Sequence, residues 1–429
     1  MQEVLLHFIW GNNLIRKKTF KADTGEKITI IEPGIQNFDG GPDFTNARIR
    51  IDDTTWAGNV EIHVDTCDWY HHKHHTDSAY DNVILHVAAK GDRPCFNSAG
   101  RQVPCILIMT PKKIEGRYTE LLGSHDTIPC SMQLVKIDRS RKLFWMQALT
   151  VKRLENKSRS IRELLEYTRN SWEDAFFIHL ARNFGLKINT VPFELLAKSI
   201  PLKYLNSKPG DLFRTEAILF GQAGFLKGKS QDDYHSGLKK EYDYLTKKYG
   251  LKPIDAHVWK FLRLRPSNFP TIRIAQLSYL ISANTNLFSR TIDAGNMEQL
   301  YKLYSCEVSD YWKTHYNFRK ITPVKEKNLG KYSINNLIIN TIIPFLFVYG
   351  NLKNNQHIKD FAFSLLEGLP AENNKVTRQW KEAGFRISNA ADSQALIELS
   401  EQYCSRKHCL DCQLGHMILS MEYTGAGNG

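Results

Sequence analysis

At 429 residues the chain exceeds one ordinary hydrophobic core, so two or three domains are expected. A hydrophobic content of 42% with 11% aromatics supports a well-packed globular protein, and eight cysteines are too few for a disulfide scaffold. The formal charge is +12 but uneven: residues 1–138 hold 15 Lys/Arg against 18 Asp/Glu, leaving 42 against 27 in the remainder. An acidic part joined to a basic part suits an enzyme that handles a polyanion.

Residues 1–13 lack a basic segment and a cleavage site, so no targeting segment is expected and a cytoplasmic location is the default. The longest apolar run, 334–352, is interrupted by Asn335, Asn336, Asn340 and Pro344. A bilayer would penalise those groups, so the run is expected to be a buried core helix and no membrane partner is expected.

In chain order, Glu3–Trp10 predicts a short helix and Lys27–Ile31 a strand closed by Pro33-Gly34. Phe44–Ile51 alternates, with Ala47, Ile49 and Ile51 on one face, and Asp52-Asp53 supplies a turn. Trp56–Val64 and Asn82–Ala88 are further strands, and Val103–Met109 another. After residue 138 the period becomes helical. Phe144, Leu149, Val151 and Leu154 suit one helical face. Later helices are expected at 172–183, 211–226, 233–249, 272–283, 297–302, 334–348 and 393–404. The fold class is therefore α+β, with an α/β domain over 1–138 and a helical domain with a cysteine cluster over 139–429.

Chemistry concentrates between Gly40 and His86. Residues two apart on a strand share a face, so Glu61 and His63 point the same way, and a hairpin can bring Asp43 beside them. Converging carboxylates suit Mg²⁺ or Mn²⁺, with Asp43 and Glu61 as ligands, the Ile62 carbonyl as a further one and Glu3 as an outer contact. The stretch Asp68 to Asp77 carries four histidines. There His71, His74 and His75, with Asp77 alongside, are candidates for an added metal site or a phosphate-contacting lid, and Asp68 is a further site candidate, whereas His72 and Lys73 read as a solvated turn. His86, inside an apolar strand, is a site candidate or a core residue with its partners inside the fold.

Cys404-x₄-Cys409-x₂-Cys412 places three thiols within nine residues, which favours Zn²⁺ or an iron–sulfur cluster. Cys130 is the favoured fourth ligand, with Cys306, His408 and His416 as alternatives. Lys260, Arg263, Arg265 and Arg273 could track phosphates, and Tyr301, Tyr304, Tyr311, Trp312 and Tyr316 could stack bases. No Walker A loop, Gly-x-Ser-x-Gly elbow or dinucleotide fingerprint is present, which argues against NTPase, α/β-hydrolase and NAD chemistry.

Three blocks resemble an uncharacterised bacterial family, domain of unknown function 2851. They are the Gly40–His86 stretch, Trp259–Leu277 with the upstream Glu216–Gly224, and Asp392–Leu396 with the cysteines that follow. More remotely, the first block is similar to the PD-(D/E)xK nuclease superfamily, whose core runs helix, three strands, helix, strand. The second helix would fall within 69–79. That resemblance implies Asp43 as the first acid, Glu61 as the second, and metal-dependent phosphodiester hydrolysis of DNA or RNA. It departs at His63, where the superfamily has Lys. The expected function is thus a divalent-metal nuclease with Asp43, Glu61 and His63 at its centre. The alternatives are a nuclease-fold binding module without catalysis and an interaction protein whose cysteines staple the C-terminus.

Overall fold

The computed structural model describes residues 2–15, 17–318 and 320–421. The chain forms two compact units. The first comprises 1–146, 378–385 and 397–429, and the second 147–377 and 386–396. The division falls inside the helix Arg139–Tyr167, and two C-terminal segments belong with the N-terminal unit.

The first unit opens with α1 (Glu3–Gly11), which buries Leu5, Leu6, Phe8, Ile9 and Trp10. Then follow β1 (Thr19–Lys21), β2 (Lys27–Glu32), β3 (Ile35–Gln36), β4 (Phe44–Ile51) and β5 (Thr54–Asp65). After a short helix, α2 (Asp68–His71), come β6 (Val83–Lys90), β7 (Cys95–Phe96), β8 (Gln102–Val103) and β9 (Cys105–Leu107), and then α3 (Lys112–Gly123). The main sheet has seven strands in the order β1-β2-β4-β5-β6-β9, with β3 alongside β4. The strands from β1 to β5 pair antiparallel, and β5–β6 and β6–β9 pair parallel. Sheet and helices together make the fold α+β.

The strongest sequence patterns are recovered with small shifts. The expected strand 103–109 is split, because Pro104 has no N–H to donate and separates β8 from β9. The expected helix within 69–79 is only the single turn of α2, followed by two 3-10 turns, His74–Thr76 and Ser78–Tyr80. Strand β5 is central, so both of its faces are covered at Val60, Glu61, Ile62 and His63. Gly58 allows β6 to come close: a Cβ there would lie 2.5 Å from Ile84 Cγ2 and 3.0 Å from the Asn82 carbonyl.

The second unit is helical, and its helix starts are capped by short polar side chains. Asp211, Asp232 and Asn355 each accept a hydrogen bond from the amide three residues on. The apolar run is the helical stretch 331–352, which carries a π-turn at Ile338–Ile342. By length and composition it could cross a membrane, but 72% of its apolar window is buried inside the protein. On the Arg139–Tyr167 helix Leu149 and Leu154 are buried, whereas Phe144 is 74% exposed, so the expected apolar face is only half formed.

Two residues expected at a nucleic-acid surface, Tyr304 and Trp312, belong instead to the core, and Tyr301, Tyr311 and Tyr316 pack against it partly buried. Arg273 is buried in the helix Pro270–Ala283. Its guanidinium donates to Asn268 Oδ1 (2.7 Å), Gln276 Oε1 (3.2 Å) and Ser333 Oγ (3.3 Å). Arg273→Ala is expected to cost about 2–4 kcal/mol of stability, since it leaves a cavity and three unpaired acceptors. Chemical denaturation checks this, and binding to any polyanion is expected to be unchanged. Lys260, Arg263 and Arg265 are exposed.

Candidate metal centre

The sheet register builds the centre. Strand β5 carries Glu61 and His63 on one face, and its neighbour β6 sets His86 opposite Glu61. Asp43 precedes β4, and a reciprocal pair of hydrogen bonds fixes it to β5. The Asp43 amide donates to Glu61 Oε2 (3.0 Å), and the Ile62 amide donates to Asp43 Oδ2 (2.9 Å). Both carboxylates are thereby held at one end of the sheet. The chain then turns back through α2 and the left-handed residue Lys73 (φ 63°), which lays His72 and His74 against the face of Glu61 and His63.

Three ring nitrogens meet there, and a Glu61 oxygen lies beside two of them. His74 Nε2 is 3.1 Å from Glu61 Oε1, His63 Nε2 is 3.6 Å from the same oxygen, and His63 Nε2 is 3.1 Å from His72 Nδ1. His63, His72 and His74 each offer a ring nitrogen within 4.8 Å of the others. Ligand atoms on a tetrahedral ion at ~2.0–2.1 Å lie ~3.4 Å apart, so the spacing fits one cation. His74 Nε2 is also a buried nitrogen without a hydrogen-bond partner, because its approach to Glu61 lies off the hydrogen-bond line. Three imidazoles and a carboxylate suit Zn²⁺, Mn²⁺ or Fe²⁺ better than Mg²⁺, which prefers oxygen.

Burial dominates the electrostatics. It pushes His63 down to about 3, helped by the neighbouring His86, His74 and His72, so the ring is a neutral imidazole able to coordinate. Burial likewise holds His86 at about 3. Glu61 is shifted up by burial, against the opposing pull of His74. At His7 burial lowers the pKa, but contact with Asp43 (3.3 Å) and the charge of Glu3 outweigh it, and the net shift is upward.

A hydrogen-bond relay sets the His63 tautomer. The Cys95 thiol, kept protonated by burial at about 12, lies 3.7 Å from the Arg93 carbonyl and 3.8 Å from that of Thr66. With the S–H given to one of these carbonyls, the sulfur accepts from His86 Nδ1, 3.1 Å away. His86 Nε2 then accepts from His63 Nδ1 (2.9 Å), which leaves the lone pair of His63 Nε2 facing the cluster. His86→Leu is expected to weaken metal binding about 10–100-fold, measured by titration calorimetry with Zn²⁺ or Mn²⁺.

The same histidines make the metal-free protein acid-sensitive. Their folded pKa values lie below the unfolded value, so the stability they contribute is present above pH about 6.5 and is lost as pH falls toward about 3. Glu61, shifted the other way, opposes this. Melting temperatures at about pH 7 and about pH 4.5 are therefore expected to fall more for the wild type than for His86→Leu.

The structure thus brings Asp43, Glu61, His63 and His74 together, with His86 behind them. Glu3 is half-buried on α1 and interacts electrostatically with His7 and Asp43, while burial raises its pKa. Two candidates have other work. Asp68 accepts from the Asp65 amide (3.2 Å) and pairs with His71, and Asp77 caps the turn after it by accepting from Ala79. His7 was not singled out by its residue pattern, and His72, read as part of a solvated turn, is exposed yet has its Nδ1 3.1 Å from His63 Nε2. His7 could have been, since it lies one helical turn after Glu3 on α1. His72 carries no such signal, because the left-handed backbone at Lys73 decides its direction. A cavity of about 740 Å³ has Asp43, His7, Asn37, Tyr118, Lys407 and His416 in its wall.

A family model described as "Protein of unknown function (DUF2851)" matches residues 3–375. The chain belongs to this family. The match contains every residue of the candidate metal centre and ends before Asp392–Leu396 and the three C-terminal cysteines. No curated protein and no solved structure matches the chain.

Proposed function

We propose that this member of the family is a divalent-metal-dependent phosphodiesterase acting on DNA or RNA. The observation that carries the reading is the convergence of Glu61 with His63, His72 and His74 beside an Asp43 that is locked to the same strand. The strand sequence supports it: α1, the antiparallel β2, β4 and β5, a short helix, then β6 parallel to β5 follows the order of the PD-(D/E)xK core.

His63, His72 and His74, with Glu61 beside them, would hold a divalent cation, which when bound would supply Lewis-acid polarisation of a phosphoryl oxygen and a more acidic water. The protein groups do the rest. His63 is neutral, so it does not replace the positive charge of a Lys and acts as a ligand. His7, with its raised pKa beside Asp43 in the cavity wall, is the group placed to carry a proton to a leaving oxygen. The exposed Lys260, Arg263 and Arg265 of the second unit offer charge for phosphates, so binding is expected to weaken as salt rises.

The second reading, a nuclease-fold binding protein without catalysis, is favoured by one observation. Both nitrogens of His63 are engaged, by His86 and His72, where a nuclease has a free Lys amine. One experiment separates the two. The purified full chain is incubated with single- and double-stranded DNA and RNA and Mg²⁺, Mn²⁺ or Zn²⁺, beside Asp43→Ala. Cleavage that needs metal and Asp43 supports the enzyme. Salt-sensitive binding with no cleavage under any metal supports the second reading.

A further inference from the structure

Four cysteines of the first unit come together from distant parts of the chain. Cys130, Cys404, Cys409 and Cys412 are each buried, at 8%, 8%, 9% and 6% exposure, and none is in a disulfide. Cys130 begins the 3-10 turn Ser131–Lys136, and Cys404 ends the π-turn Leu399–Cys404. From there the backbone curls sharply. Lys407 is left-handed (φ 57°), the His408 amide donates to the Tyr403 carbonyl (3.0 Å), and that of Cys409 donates to the Lys407 carbonyl (2.8 Å). Cys412 then begins the helix Gln413–Ser420. The curl is held so tightly that a Cβ on Gly415 would lie 2.0 Å from the Cys409 carbonyl oxygen.

The thiols lie within electrostatic reach of one another. Burial is the main influence on all four, and it pushes Cys130 up to about 12 and Cys409 up to about 11. Beyond burial, Cys130 feels Cys412 and Cys409, Cys404 feels all three others, and Cys409 feels Cys412, so every pairing is represented.

The spacing selects the kind of metal. Four thiolates on one zinc, each at ~2.3 Å, would lie ~3.8 Å apart. Among the described residues, the group of three or more ligand atoms within 4.8 Å of one another is His63, His72 and His74, and the cysteines do not form such a group. A polynuclear cluster accepts wider spacing, because each thiolate binds its own iron or shares one of two. The structure assigns an iron–sulfur cluster to Cys130, Cys404, Cys409 and Cys412. It ties the segment after Gly123 to the C-terminal loop whose Lys407 and His416 line the cavity beside Asp43. Its role is to hold that wall in place.

The test reads composition and not activity, so it stands apart from the phosphodiesterase proposal. The full chain is purified without oxygen, and iron, acid-labile sulfide and zinc are measured with the visible spectrum. Brown protein with equal iron and sulfide, roughly two to four of each per chain, is the expected result. Cys130→Ser and Cys409→Ser are each expected to lose the colour, and Cys306→Ser, at a buried cysteine of the second unit, to keep it. Colourless wild-type protein with one zinc and no sulfide would overturn the cluster. Folded wild-type protein with neither metal would overturn the site. Colour that survives Cys130→Ser would remove Cys130 from it.

Discussion

Glu61→Gln is expected to weaken divalent-metal binding at the histidine cluster by more than ~100-fold, beyond the usual effect of losing a partner outside the ligand set. Glu61 Oε1 is the one anionic atom among the converging ligands, within 3.1 Å of His74 Nε2 and 3.6 Å of His63 Nε2. Gln keeps the shape, and its carbonyl can still accept from the Asp43 amide, so the local backbone has no reason to move. Metal-free stability is expected to hold at neutral pH or to rise, because burial already disfavours the ionised carboxyl of Glu61. The wild type, by contrast, should gain about 2.7 kcal/mol from metal at 100 times its dissociation constant, and the variant almost nothing. Calorimetric titration with Mn²⁺ and Zn²⁺, together with melting temperatures with and without metal, checks both. Equal affinity in the two proteins would place the ion elsewhere.

Gly221→Ala is expected to lower the melting temperature of the second unit by roughly 6–12 °C, for a cost of about 3 kcal/mol. Gly221 lies in the helix Leu212–Gln222, against the helix Asp233–Tyr249. A Cβ there would sit 2.2 Å from Cγ and Cδ2 of the Tyr242 ring. The ring cannot swing away, since its hydroxyl donates to Gln222 Oε1 at 2.6 Å and the side chain is buried. Glycine disfavours a helix interior, so its presence there marks a close helix contact. Differential scanning calorimetry reads the effect. Gly221→Ala combined with Tyr242→Leu, which removes the obstructing ring, is expected to recover part of the loss.

The first half of the metal centre was legible because a strand has a strict period of two. Glu61-Ile62-His63 could only present its two polar side chains together, and the turn at Asp52-Asp53 could only return the chain so that Asp43 met them. The second half was not. His71, His72, His74 and His75 look alike in a row, yet His71 pairs with Asp68 at the surface while His72 and His74 join the centre. One left-handed residue, Lys73, separates these outcomes, and many residue types adopt that conformation when the fold demands it.

Charge was the least transferable signal. Lys260, Arg263, Arg265 and Arg273 read as one basic group, but three are exposed and the fourth is buried with its own neutral partners. An arginine at the start of an apolar helix has a burial that depends on what packs beside it. The cysteines show the same divide. Their spacing pointed to a shared ligand role for Cys404, Cys409 and Cys412, whereas Cys130, favoured as the fourth ligand, stood beside Cys306, His408 and His416 as alternatives that spacing could not separate.

By itself, the sequence determined strands β2, β4, β5 and β6, the face that Glu61 shares with His63, the predominantly helical character after residue 138 and the burial of the apolar run at 331–352, but not the short strands β1 and β3. These are local matters, in which hydrophobic period and turn chemistry act over a few residues. Only the tertiary structure decided that His7 and His72 reach the candidate centre, that Arg273 is enclosed and that Gly221 must remain bare. Each of those depends on two segments that find each other through space, and side-chain convergence of that kind leaves no periodic trace along the chain.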